Sequence, residues 1–360
     1  MLKALLSEDY PRSRLLTALL VVIVAGLALA PFVFPGIRPL NTAATICVFI
    51  VLVASYDLLL GYTGIVSFAH TLFYGIGAYG VALALDAWPA SWGAVALGTA
   101  LGLALAMAIA LLIGLFALRV QAIFFAMVTL AVASACLILA SQLSGLTGGE
   151  DGLTYRVPHL LSPAFRLVDG KVLGVRLDGR IVSYYLLFLA AGALVLAMLR
   201  IVNSPFGRVL QAIRENPFRA EALGYRTAVY RTAATVAAAA AAALAGALMA
   251  LWQKYTGPDT TLSLSIMIDI LLMVVIGGMG TIYGAVVGAT VFVLAKNYLQ
   301  LLMAAAAGAT AGLPLLPQLV SPDRWLLWLG ILFVLSVYFF PSGIVGRLRG
   351  RGGEGGAPRG

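Results

Sequence analysis

The chain has 360 residues, of which 62% are hydrophobic and only 10% charged. A soluble domain carries about a quarter charged residues, so this composition excludes a water-soluble globular surface and leaves lipid or other apolar helices around most side chains. The net charge of +9 would suit nucleic acid in a soluble protein, but there is no compact basic domain with interleaved aromatics, and the cations read as topology signals of membrane loops.

About 20 apolar residues cross a hydrocarbon core as a helix. Ten runs qualify, at about 14–34, 40–60, 64–86, 91–118, 121–143, 181–201, 232–252, 263–283, 285–305 and 325–345. Helix is forced over open sheet, whose edges have no partners in lipid, and the runs lack the alternation of barrel strands. The expected fold is an all-α polytopic membrane domain over residues 1–346. The first run has a basic flank and an Ala28-Leu29-Ala30 sequence resembling a cleavage site, but it continues to Phe34 and reads as a span rather than a signal peptide.

Lys3, Arg12 and Arg14 precede the first run, and Arg347, Arg349, Arg351 and Arg359 follow the last. The positive-inside rule puts both ends in the cytoplasm, which requires an even number of spans. Residues 347–360 are Gly- and Arg-rich and read as a disordered cytoplasmic tail. Alternation places the linker 145–180 outside. Its Val/Leu/Arg/Gly pattern with Asp169-Gly170 and Asp178-Gly179 predicts a hairpin turning at Asp-Gly. Glu150 and Asp151 in that linker could meet basic residues of a soluble protein or simply form a turn.

The same alternation puts the linker 203–231, with five arginines, in the cytoplasm. Gly207 is expected to begin an amphipathic helix with Val209, Leu210 and Ile213 on one side. Pro217 restarts a second short helix, and Gly224 ends it. The product is a helical elbow lying against the membrane and held at both ends by spans, which reads as a docking element or as a solvated positive-inside loop with surface helices.

Other chemistry is sparse. There is no GxxxxGK[ST] phosphate loop. Gly75, Gly77 and Gly80 match GxGxxG, but inside an apolar run with no preceding strand and no βαβ unit, so the match is rejected as a dinucleotide site. His70 and His159 are too few for a metal site, and Cys47 and Cys136 read as buried free thiols. No catalytic grouping has local support. Asp57, His70, Asp269 and Lys296 lie in or at the ends of spans, where ionisable groups must face protein or water. Gly280, Gly284 and Gly288 repeat every four residues and predict a close helix–helix stripe.

Arg208 to Tyr225, with Glu221-Ala222-Leu223-Gly224 at its centre, resembles the EAA-type coupling segment of ABC importer permeases. Three further segments, Gly61–Tyr79, Leu146–Leu153 and Leu272–Ala289, are similar to the branched-chain amino-acid permease family, M-type subunit, over about residues 40–345. Ile65 and Ala69 depart from that pattern, where the family carries a polar residue and a glycine. The resemblance implies a transport permease of the bacterial inner membrane that is not itself an enzyme and holds no cofactor. Implied partners are an H-type second permease subunit, two ATPase subunits that hydrolyse ATP, and a periplasmic or lipid-anchored binding protein. It implies ATPase coupling through Gly207, Arg208, Arg214, Glu215, Arg219, Glu221, Ala222 and Gly224, and a translocation path near Ser67, His70, Tyr74, Asp57 and Asp269. Branched-chain amino acids are the implied cargo, with urea or short amides as an alternative in the same family. An ion-coupled secondary transporter using Asp57, Asp269 and Lys296 is the rival class.

Overall fold

The structure, a computed structural model, describes residues 13–34, 36–117, 122–172, 175–309, 321–339 and 342–350. Lys3, Arg12, Arg351 and Arg359 lie outside them. The main helices are α1 (Arg14–Val33), α2 (Ile37–Thr63), α3 (His70–Ala87), α4 (Trp92–Ala117), α5 (Ala122–Gln142), α6 (Gly179–Asn203), α7 (Pro205–Glu215), α8 (Pro217–Ala222), α9 (Thr227–Gln253), α10 (Leu264–Gly277), α11 (Ile282–Ala309), α12 (Trp325–Phe339) and α13 (Gly343–Gly350). Among the described residues, nine helical stretches are long and apolar enough to cross a membrane. The expected span 64–86 is not one of them, because its first six residues are not helical and only α3 follows. The expected span 263–283 also ends early, at Gly277, where Gly278 and Gly280 take left-handed backbone.

Two helices form the centre. The apolar stretches of α2 and α9 are 83% and 72% buried, whereas those of α4, α5 and α6 are 28% or less. The outer helices therefore expose leucine, phenylalanine and methionine outward, as lipid requires, and α2 and α9 are hidden by them. The α3–α9 contact is close because two glycines meet backbone: a Cβ on Gly77 would collide with the Ala243 carbonyl, and one on Gly246 with the Tyr74 carbonyl. Gly75, Gly77 and Gly80 thus serve packing.

Pro31 sits inside α1 and has no N–H to give the Leu27 carbonyl one turn earlier. Tyr184 of α6 supplies the missing donor, its hydroxyl lying 2.5 Å from that oxygen, and Tyr185 donates to the Ala28 carbonyl at 2.8 Å.

The helix ends sort to two sides. On one, the end of α2 meets α7, the 278–281 loop and the start of α13. On the other, the α1–α2 turn, the start of α6 and the end of α9 surround a cavity. Here β1 (Leu153–Thr154) pairs antiparallel with β4 (Tyr255–Thr256), and the Tyr155 hydroxyl donates to the Ala250 carbonyl at 2.9 Å. The hairpin of β2 (Arg166–Val172) and β3 (Val175–Asp178) is present, but neither Asp-Gly pair makes its turn. Asp169-Gly170 falls within β2, where the register slips, and the Asp178 carboxylate instead caps α6 by accepting from the amides of Arg180 and Ile181. Of the expected disordered tail, residues 347–350 belong to α13, whose Val345 is fully buried, and 351–360 lie outside the described residues.

Candidate functional site

The elbow is built by capping. Ser204 accepts the Gly207 amide at 3.4 Å and Pro205 takes the first turn of α7, so the helix starts two residues before Gly207. Asn216 does the same for α8, accepting the Arg219 amide at 3.0 Å ahead of Pro217. Leu210 and Ile213 are fully buried against the spans, Val209 is half-buried, and Arg208, Gln211 and Glu215 face outward.

Gly224 closes α8. Its φ of +91° suits glycine, and the Gly224 amide bonds to the Glu221 carbonyl at 2.9 Å while the Tyr225 amide reaches Ala220 at 3.1 Å. That pair is the 5→2 and 6→1 arrangement of a Schellman ending. The Glu221 carboxylate accepts the Thr227 hydroxyl at 2.5 Å, tying α8 to the first residue of α9. Arg219, Ala222 and Glu221 are exposed, beside Phe218 at 82% and Leu223 at 72%. Phe218 and Leu223 thus form an exposed apolar pair on a short, well-capped element.

Beneath the elbow lies a four-residue junction. Arg214 of α7 donates from Nη1 to the Gly61 carbonyl near the end of α2. One turn earlier, the Asp57 carboxylate accepts the Gly280 amide through both oxygens, at 2.9 and 3.1 Å. Asp57 is only 1% exposed. Gly61 has to lack a side chain, since a Cβ there would strike both the Asp57 carboxylate and the Gly280 amide. Gly280, at φ +80°, aims its N–H at that carboxylate. It stands in a loop and not on α11, which corrects the expected three-glycine stripe. Gly284 and Gly288 remain on α11, pressed against Gly277 and the Met273 carbonyl of α10.

The residues expected along a translocation path divide. Ser67, His70 and Tyr74 are interior, none more than 1% exposed, and with Asp57 they line neither the cavity at the α1–α2 turn nor the one between α3, α4 and α5. His70 Nε2 lies 2.8 Å from the Ser55 hydroxyl, and its ring is tilted against Tyr56 at 5.2 Å. The non-helical stretch before it buries Ser67 and Ala69 and leaves Gly64 and Val66 exposed; its Phe68 amide donates to Thr129 of α5 at 3.0 Å. Asp269 differs. It pairs with Lys296 on the outer face of α10 and α11, with side-chain exposures of 15% and 41%.

Ser55, Gly61, Thr129 and Thr227 were not singled out from sequence. Their partners are distant in the chain or were read for other roles, and a hydroxyl in an apolar run carries no local signal.

A family described as "Branched-chain amino acid transport system / permease component" matches residues 38–337. The high-affinity branched-chain amino acid transport system permease protein LivM of Salmonella typhimurium is 26% identical over 298 residues, covering 79% of this chain and 68% of that protein. LivM of Escherichia coli is 26% identical over 306 residues with the same coverage. A probable LivM of Methanocaldococcus jannaschii is 26% identical over 222 residues, 62% of this chain and 59% of the relative. No solved structure matches.

Proposed function

The chain belongs to the branched-chain amino acid transport permease family, and from that premise we propose that the elbow formed by α7 and α8 is the cytoplasmic socket through which partner ATPases drive it. The protein is a permease subunit of an ABC importer for branched-chain amino acids, not an enzyme in its own right. Two ATPase subunits dock on the elbow, a second permease subunit completes the membrane unit, and a binding protein delivers cargo on the opposite, external face. The membrane is the bacterial inner membrane, with both termini cytoplasmic.

The observation that carries this reading is the Arg214–Gly61 and Asp57–Gly280 junction. A push on α7 reaches the end of α2 through Arg214. Asp57, one turn back on the same helix, ties it to the loop joining α10 and α11 through the Gly280 amide. Exposed Phe218 and Leu223 supply the apolar anchor on the docking side. A ligand-driven change needs two states with different contacts, and this junction is the element whose geometry ATPase closure would bias.

Asp269 and Lys296 support a second part of the proposal. An exposed ion pair within spans is costly against lipid, so the face of α10 and α11 that carries it meets the second permease or the aqueous path. Ser67, His70, Tyr74 and Asp57 act as internal ties behind that path.

The test is sidedness. A cysteine at exposed Gln211, in a background lacking Cys47 and Cys136, should be shielded from an impermeant thiol reagent in intact cells and label after lysis. Labelling in intact cells would overturn the cytoplasmic socket.

A further inference from the structure

On the side away from the elbow, four spans end around one cavity of about 420 Å³. The α1–α2 turn contributes Phe34 and Ile37, the start of α6 contributes Arg180, and the end of α9 contributes Trp252 and Lys254. Two cations therefore face one carboxylate, Asp178, which is already engaged by the amides of Arg180 and Ile181. The Arg180 guanidinium makes no hydrogen bond or ion pair among the described residues, and Lys254 reaches only the Leu161 carbonyl, at 3.3 Å. Partial burial, followed by the nearby charge of Arg180, lowers the Lys254 pKa, as expected of a cation with too little counter-charge.

Lys254 is also the one non-glycine residue with positive φ among the described residues, at 59°. Its position at the helix end is one where glycine costs least. A lysine held there keeps an ammonium in the cavity at the expense of local backbone strain. At the rim, Phe34 and Ile37 are 60% and 61% exposed. The cavity thus joins a cationic floor to an apolar edge at the level where spans end.

We propose that this cavity binds the phosphodiester headgroup of an anionic membrane lipid, with the acyl chains along Phe34 and Ile37. Arg180 offers a planar fork to phosphate oxygens, Lys254 a second charge, and Trp252 a ring at the depth favoured by interfacial aromatics. The site is independent of the elbow and of the cargo.

The purified full chain in neutral detergent, titrated with brominated lipid, tests it. Quenching assigned to Trp252, by difference from Trp252→Phe, should be stronger with brominated phosphatidylglycerol than with brominated phosphatidylcholine. Arg180→Gln and Lys254→Gly should each weaken the phosphatidylglycerol effect about fivefold. Glycine suits the backbone of residue 254, so that variant should fold with unchanged elution. Arg180→Lys keeps the charge and should keep the preference. Equal quenching by the two lipids, or a preference that survives in the folded double variant, would overturn the site. Millimolar inorganic phosphate that displaces the brominated lipid completely would overturn the lipid as its occupant and leave a free-anion site.

Discussion

The amide of Gly280 bonds to both carboxylate oxygens of Asp57, although 223 residues separate the two. A buried carboxylate would ordinarily demand a cation. Here backbone N–H groups meet it, and the nearest guanidinium, that of Arg214, is occupied one turn along by the Gly61 carbonyl. The arrangement satisfies a charge while tying α2, α7 and the loop between α10 and α11 together at one point.

Removing that carboxylate leaves the Gly280 amide unsatisfied in the interior. Asp57→Ala should destabilise the protein by about 1–3 kcal/mol. Asp57→Asn retains an acceptor oxygen and should cost less. Thermal unfolding in detergent ranks the two. Equal midpoints for wild type and Asp57→Ala would show that the contact contributes nothing.

Arg214 is outward at its base and tied at its tip, so its loss should affect transmission more than folding. Arg214→Ala is expected to lower ATP-driven uptake by about tenfold or more, equivalent to roughly 1.4 kcal/mol of coupling, with expression unchanged. Arg214→Lys can still donate and should fall between. Uptake in proteoliposomes containing the complete transporter measures this.

At the other end of the elbow, Gly224→Ala forces a Cβ into left-handed backbone, at roughly 1 kcal/mol. Glu221→Ala removes the acceptor of the Thr227 hydroxyl and frees α8 from α9. Both should uncouple ATP hydrolysis from uptake, read as ATPase activity that persists without transport. Unaltered uptake in the doubly substituted chain would remove α8 from the coupling scheme.

Pro31 and Tyr184 form a testable pair. Tyr184→Phe should cost about 0.5–1.5 kcal/mol because the Leu27 carbonyl loses its donor. In a Pro31→Ala background the helix supplies its own amide, and the same substitution should cost markedly less. A double-mutant cycle on thermal stability gives the difference, and additivity would reject the link.

Much of the fold was legible because apolar length is a strong signal. Nine of the ten expected runs correspond to long described helices, though the run at 263–283 ends early, and the elbow's caps at Ser204, Asn216 and Gly224 sit where serine, asparagine, proline and glycine have backbone meanings. The third run hid its break because Ile65, Val66 and Phe68 are as apolar as any helix. Gly280 looked like part of a stripe because spacing does not report φ. Asp57 read as an ionisable group in or at the end of a span, since nothing within twenty residues reveals an amide arriving from the far end of the chain. The hairpin turn was misplaced because Asp-Gly is also a good helix entry, and Asp178 is used that way. The buried state of His70 depended on Ser55, a hydroxyl with no pattern around it.

The non-helical stretch ahead of α3 bears on how the chain is made. In residues 64–69 the Ile65 amide bonds the Leu59 carbonyl and the Ala69 amide the Ser67 hydroxyl, but Phe68 depends on Thr129, sixty-one positions downstream. During synthesis α3 emerges with an open backbone and a histidine at its leading end, a poor candidate for release into lipid alone. The Phe68 amide finds its acceptor only once α5 has left the ribosome, so α3 takes its final place late, held by its neighbours and not by its own greasiness.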